Sequence, residues 1–172
     1  GTTTPTVERS NTAEPVDVRR LLSGYLWFMG GVWHTAGVLS DGVLSAQTAA
    51  KIAHVFAPKV NGAWNLHCGV AASPLTTFAL FSSVTALFGS AGQANYSAAN
   101  TCLDTLAGDR FAAGLAATSV QWASWEEVGM AARGAASARA AAMEASTGFG
   151  RIALKDGLRA METSLLQQAR VS

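Results

Sequence analysis

Apolar and polar positions divide the chain into alternating strand-like and helix-like stretches. "LWFMGGVWHTAG" (26–37) is an apolar run that ends in a glycine turn and predicts a buried strand. "TTFALFSSV" (76–84) is a continuous apolar run of strand length with a polar break at its C-terminal end, and "ATSVQWASW" (117–125) predicts a third strand. Between the first two, the segment from Gly42 to about His67 takes helical spacing in its second half, through Ile52, Val55, Phe56, Val60 and Trp64, with Pro58 interrupting it. "GSAGQ" (89–93) reads as a turn, and Ala94 to about Ala113 as a helix closed by Gly114.

The ends of the chain read differently. Residues 1–15 carry Thr, Ser, Asn and two prolines and predict a linker, followed by a short helix over 16–24 that Gly24 would stop. "MAARGAASARAAAMEAS" (130–146) is alanine-rich and predicts a helix, part of a lid-like region over about 126–150. "KDGLRAMETSLLQQ" (155–168) predicts one more amphipathic helix through Leu158, Met161, Leu165 and Leu166. No internal repeat is visible.

Three buried-type strands alternating with helices predict a parallel sheet in an α/β fold. In open parallel sheets ligands bind at the carboxyl ends of the strands. "HTAG" (34–37), "SSV" (82–84) and "ASW" (123–125) fall there, and the helix carrying Tyr96 begins just beyond the second.

Composition narrows the function. Apolar residues make up 49% and charged residues 13% of 172, a globular composition long enough for one domain with a core. A formal charge of +1, with no basic stripe, argues against a nucleic-acid partner. The most apolar run, "GYLWFMGGVW", spans ten residues, whereas a membrane helix needs about twenty. No transmembrane segment or secretory signal is expected, and the chain reads as soluble in a compartment the sequence does not name. Cys68 and Cys102 lack metal-ligand or redox-pair spacing and read as buried reduced thiols, which suits a reducing compartment. His34 and His67 have no metal-ligand spacing either and read as packing or turn residues, so no metal site is expected.

Four residues carry candidate chemistry. Tyr96 and Asn100 lie four apart on one helical face. Ser83 ends the preceding strand, and Lys59 belongs to the helix before it. A tyrosine hydroxyl, with an ordinary pKa of about 10, is a poor proton exchanger at neutral pH, and a lysine ammonium beside it would favour the phenolate. A serine hydroxyl can hold a carbonyl oxygen and an asparagine can orient a neighbour. Such a set suits protonation of a carbonyl oxygen as hydride arrives at its carbon. Taken singly, each of these residues has an ordinary structural reading: core or rim for the tyrosine, a solvated charge for the lysine.

"HTAG" (34–37), "PKVNGAWNLH" (58–67), "FALFSSVTALFGSAGQANYSAAN" (78–100) and "SVQWASWEEVGMA" (119–131) together resemble the ketoreductase domain of modular polyketide synthases, a branch of the short-chain dehydrogenase/reductase superfamily. The resemblance covers about residues 16–165, read as one partial domain running to residue 172. It implies a Rossmann-like parallel sheet with flanking helices, lacking the first β-α units and the last strand. It also implies that Lys59, Ser83, Tyr96 and Asn100 are the catalytic set, with the lysine upstream of the tyrosine and the asparagine four residues after it, as in synthases. NADPH is the implied cofactor, contacted by His34, Ala36, Gly37, Trp122 and Ala123, and Asp41, Phe88, Gln93 and Trp125 are implied substrate contacts. Core packing is the other reading of the two tryptophans. Among stereochemical markers, "LSD" (39–41) and Asn95 lean towards the class that carries Leu-Asp-Asp, although Ser40 and Ala91 depart from its pattern, and Phe88 stands where the opposite class has tryptophan.

The family's glycine-rich nucleotide turn, which would lie upstream of "HTAG", is absent from this sequence. The chain is therefore expected to hold the catalytic half of a cofactor site, and to be inactive alone. An open parallel edge invites pairing, so a partner is expected over "LWFMGGVWHTAG": the missing N-terminal half or another protein chain. If active, the substrate would be a β-ketoacyl thioester on an acyl carrier protein. The alternative is a degenerate, non-catalytic half-domain serving as a structural subunit of a larger complex.

Overall fold

The computed structural model describes residues 30–126, 134–148 and 150–168. The expected linker at 1–15, the helix at 16–24 and the first four residues of the expected first strand lie outside them.

Three strands form a parallel sheet in the order β1-β2-β3: β1 is Gly31–His34, β2 Thr77–Ser83 and β3 Thr118–Trp122. Trp33 lies beside Ala79 and Ala79 beside Thr118, which sets the register across the sheet. The β1–β2 connection holds α1 (Ala49–Phe56), a π-helical segment (Ala57–Asn61) and α2 (Gly62–Gly69). The β2–β3 connection holds a single turn, α3 (Thr85–Phe88), and the long α4 (Ala94–Ala112). Beyond β3 stand α5 (Gly134–Thr147) and α6 (Leu154–Gln168), as the alanine-rich and amphipathic stretches predict. This is the Rossmann-like α/β arrangement read from the sequence.

Side chains alternate across a strand, and the alternation decides where the core sits. Val32, Phe78 and Leu80 point to one face and pack with Ala63, Val70, Leu103, Leu106 and Ala107 of α2, α4 and the loop between α2 and β2. Phe78, Leu80 and Leu103 are essentially sealed from water. On the other face Trp33 is 49% exposed and Phe81 and Val120 are half-buried.

Three differences from the sequence reading have physical causes. Pro58 does not break its helix. It lies near the start of the widened π turn, where the missing N–H is tolerated, and the helix continues through Gly62. The widening changes the helical phase, so Trp64 is 54% exposed although Val55 is fully buried. Cys68 and Cys102 are reduced thiols, not joined in a disulfide, as expected, but half-buried rather than buried. α3 was not foreseen, because one turn is too short to show a period. The "GSAGQ" turn does form, with Gly89 and Gly92 at φ of 69° and 74°, where side-chain-bearing residues are strained. Gly114, at φ 71°, closes α4 in the same way.

Candidate active site

The site forms where β2 ends and α4 begins. Ser83 is the last residue of β2, and its Oγ accepts the Thr85 backbone N–H at 3.2 Å, which starts α3. Gly42 N–H donates to the Gly92 carbonyl at 2.8 Å, tying the loop after β1 to the turn ahead of α4. Gln93 donates to Asp41 Oδ1 at 3.1 Å, and Asn95 Nδ2 donates to the Ser40 carbonyl at 2.8 Å. Asn95 Oδ1 in turn accepts the Tyr96 N–H at 2.8 Å, so the loop and the start of α4 hold Tyr96 between them.

The π segment delivers Lys59 from the other side. Lys59 is 3% exposed, its Nζ donates to the Phe81 carbonyl at 2.9 Å, and the same nitrogen lies 5.1 Å from the centroid of the Tyr96 ring. Burial pulls the Lys59 pKa down to about 8, against the Asp104 carboxylate, which raises it. Asn100 is fully buried, its Nδ2 donating to the Tyr96 carbonyl at 3.0 Å and to Thr85 Oγ1 at 3.4 Å. Its Oδ1 is buried without a partner among the described residues.

Tyr96 corrects one expectation. Its pKa is raised above the ordinary value because burial outweighs the Asn100 and Ser83 side chains, which act on its hydroxyl in the opposite direction. The buried lysine does not bring it down, and at neutral pH the phenol keeps its proton.

The structure thus brings Lys59, Ser83, Tyr96 and Asn100 together at the carboxyl end of β2 and the start of α4. Ala36, exposed, and Gly37, half-buried, follow β1 at its rim, and half-buried Ala123 follows β3. Trp122 is 7% exposed, tilted between Phe81 and Trp125 at ring separations of 5.6 and 5.1 Å, and its Nε1 is buried without a partner among the described residues. Trp125 lies so close over Gly157 that a Cβ there would collide with its ring, and it bridges to Ile152 in parallel fashion. Phe88, 53% exposed, ends α3. His34, expected as a cofactor contact, is 5% exposed, and its Nε2 donates to the Lys59 carbonyl at 2.8 Å. Among the described residues, no cluster of His, Cys, Asp and Glu could hold a metal, and no helix is long and apolar enough to cross a membrane.

Sequence reasoning missed Asp104. Its Oδ1 accepts from Ser119 and its Oδ2 accepts from Gln121 at 2.8 Å, which fastens α4 to β3. The signal was available: Asp104 continues the four-residue spacing from Tyr96 to Asn100 along one helical face.

Comparison with known proteins agrees with this geometry. Residues 6–127 match the family model described as the KR domain. The chain is 45% identical over 137 residues to the polyketide synthase GfsB of Streptomyces halstedii, a match covering 80% of this chain and 2% of that protein. It is 41% identical over 169 residues to the phthioceranic/hydroxyphthioceranic acid synthase of Mycobacterium tuberculosis, covering 96% of this chain and 8% of the synthase. Among solved structures, the first ketoreductase of the tylosin PKS superposes with a TM-score of 0.74 at 38% identity, covering 84% of this chain and 32% of that one. An A-type ketoreductase from a modular polyketide synthase superposes with a TM-score of 0.78 at 33% identity, covering 90% and 34%. The chain spans about a third of those ketoreductases and a few per cent of the synthases. With the family model matching well over half its residues, this chain belongs to the KR domain family of polyketide synthases.

Proposed function

We propose that this chain is the catalytic half of a ketoreductase that, within the polypeptide carrying it, reduces a β-ketoacyl thioester to the β-hydroxyacyl thioester using NADPH. The observation that carries the reading is the buried Lys59 amine beneath the Tyr96 ring, with Ser83 and Asn100 acting on the same hydroxyl. A substrate carbonyl oxygen held by Ser83 would take the Tyr96 proton as its carbon is reduced. A phenol that stays protonated at neutral pH suits a proton donor, and Lys59, still mainly an ammonium at pH 7, stabilises the phenolate left behind. Asn100 holds the first turn of α4 through the Tyr96 carbonyl, which keeps the phenol aimed.

NADPH supplies the hydride when bound. Ala36 and Gly37 after β1 and Ala123 after β3 follow the carboxyl ends of their strands, where this reading puts the nicotinamide end. Nothing in the sequence supplies the glycine-rich turn for its pyrophosphate, which this reading assigns to the rest of the polypeptide. The substrate would arrive as a thioester on an acyl carrier protein, in keeping with the synthases the chain resembles.

The exposed Trp33 face favours a second reading, a non-catalytic half-domain docked as a structural subunit. NADPH-dependent turnover of a simple β-keto thioester by the polypeptide carrying this chain separates the two. Loss of turnover by about 10²–10⁴-fold in Tyr96→Phe, with NADPH binding retained, is expected. Turnover indifferent to that substitution sinks the catalytic assignment, and absence of NADPH binding leaves the structural reading.

A further inference from the structure

His34 closes β1 and turns inward, behind the reaction machinery. Its Nε2–H donates to the Lys59 carbonyl at 2.8 Å inside the π segment. Burial first, and then the Lys59 charge, hold its pKa below the ordinary value against the pull of that hydrogen bond, so the ring is neutral. The imidazole makes a second contact at Gly62, the residue that ends the widened turn: a Cβ there would stand 3.0 Å from His34 Cε1. One ring therefore holds the turn at its carbonyl and at its exit.

A π turn holds one residue more than an α turn, so it relaxes to regular α geometry only by passing that residue along the helix and rotating the residues around it. Such relaxation would swing Lys59 around the helix axis. We propose that His34 is a positioning residue, a peg between β1 and the widened turn that holds the Lys59 amine beneath the Tyr96 ring. Its catalytic consequence rests on the ketoreductase reading; its effect on the amine does not. The groups facing Lys59 are His34 from β1, the Phe81 carbonyl from β2, and Tyr96 and Asp104 from α4.

The test is a lysine titration followed by NMR on the 13C-lysine-labelled polypeptide that carries this chain, with Lys59→Arg assigning the Lys59 signal. The wild-type midpoint is expected at about 8. His34→Ala frees the turn and lets water reach the amine, raising the midpoint by about one unit or more, a tenfold change in the protonation equilibrium. His34→Gln, whose amide N–H can donate to the same carbonyl, restores it. Gly62→Ala presses on the ring without touching Lys59 and moves the midpoint the same way, which keeps the test open if His34→Ala fails to fold. A midpoint unmoved in Gly62→Ala, or in a folded His34→Ala, overturns the proposal, as does a His34→Gln variant that behaves like alanine. In turnover, kcat should fall about tenfold in His34→Ala with KM little changed, and the alkaline limb of the pH profile should shift with the Lys59 midpoint. If Tyr96→Phe leaves turnover intact, the ketoreductase reading fails while the titration still decides the role of His34.

Discussion

The two faces of the sheet are built to different standards. On the face that carries α1 to α4, Phe78 and Leu80 are wholly buried, and the polar groups sealed with them are mostly bonded: His34 to Lys59, Lys59 to Phe81, Asp104 to Ser119 and Gln121. On the opposite face Trp33 is half in water, Phe81 and Val120 are half-buried, and the buried indole N–H of Trp122 has no acceptor among the described residues. An unmatched buried donor costs more than a bonded one gains. Among the described residues the first face is the more closely sealed of the two. Lys59, Tyr96 and Asn100 stand on helices of the first face, while Ser83, at the end of β2, alternates to the second face with Phe81 and Trp122.

The largest effect that would sharpen this contrast is in stability. Phe78→Ala should cost about 3–5 kcal/mol in denaturant unfolding, whereas Trp33→Ala should stay within about 0.5 kcal/mol. A Trp33→Ala loss approaching that of Phe78→Ala would mean that the second face is covered in solution, and hydrogen exchange across β1 would then show where.

Next comes the charge at Lys59. A lysine with a lowered pKa favours the neutral amine in the fold, so stability should rise as pH climbs from about 8 towards 10.5, the value it takes when unfolded. Turnover should fall over the lower part of that range, as the ammonium is lost. Asp104→Asn removes the carboxylate that opposes desolvation and should draw both midpoints below 8. Midpoints that stay put would detach Asp104 from the site.

The smallest effect lies at the far end of α4. Arg110 stacks on the Phe78 ring at 3.9 Å, donates through Nε and Nη2 to the Ala116 carbonyl at 3.1 Å and through Nη1 to His67 Nδ1 at 2.7 Å. Burial and the guanidinium hold the His67 pKa below 6.5. His67 therefore adds its full stability above 6.5 and loses it as pH falls from there through its folded value, when a second cation forms beside Arg110. His67→Gln should flatten that part of the stability profile. An unchanged slope would assign it to other groups, His34 first among them.

Much of this was legible in the sequence because it is periodic or punctuated. β2 announces itself as an apolar run, α4 is bracketed by the "GSAGQ" turn and Gly114, and Lys59, Ser83, Tyr96 and Asn100 stand within matching flanks. What escaped depends on three-dimensional neighbours. Pro58 signals a break in any linear reading, and only the packing of Gly62 against His34 shows that the helix widens and runs on. His34 sits in "HTAG", which suggested a ligand, but its direction is fixed by strand pleat. The raised Tyr96 pKa also could not be read from spacing, because burial, and not the charge of the lysine beside it, decides the sign.

The π segment carries one more consequence. A widened turn accommodates one residue more than a regular helix would, so residues 57–61 keep a count as well as a surface. Ala57 and Asn61 point to water and should accept many side chains. Removing either should tighten the helix to its regular pitch, leave helical content by circular dichroism unchanged, and carry the Lys59 amine away from the Tyr96 ring. In this stretch length is the guarded quantity, and a deletion that looks harmless in stability should be costly in chemistry.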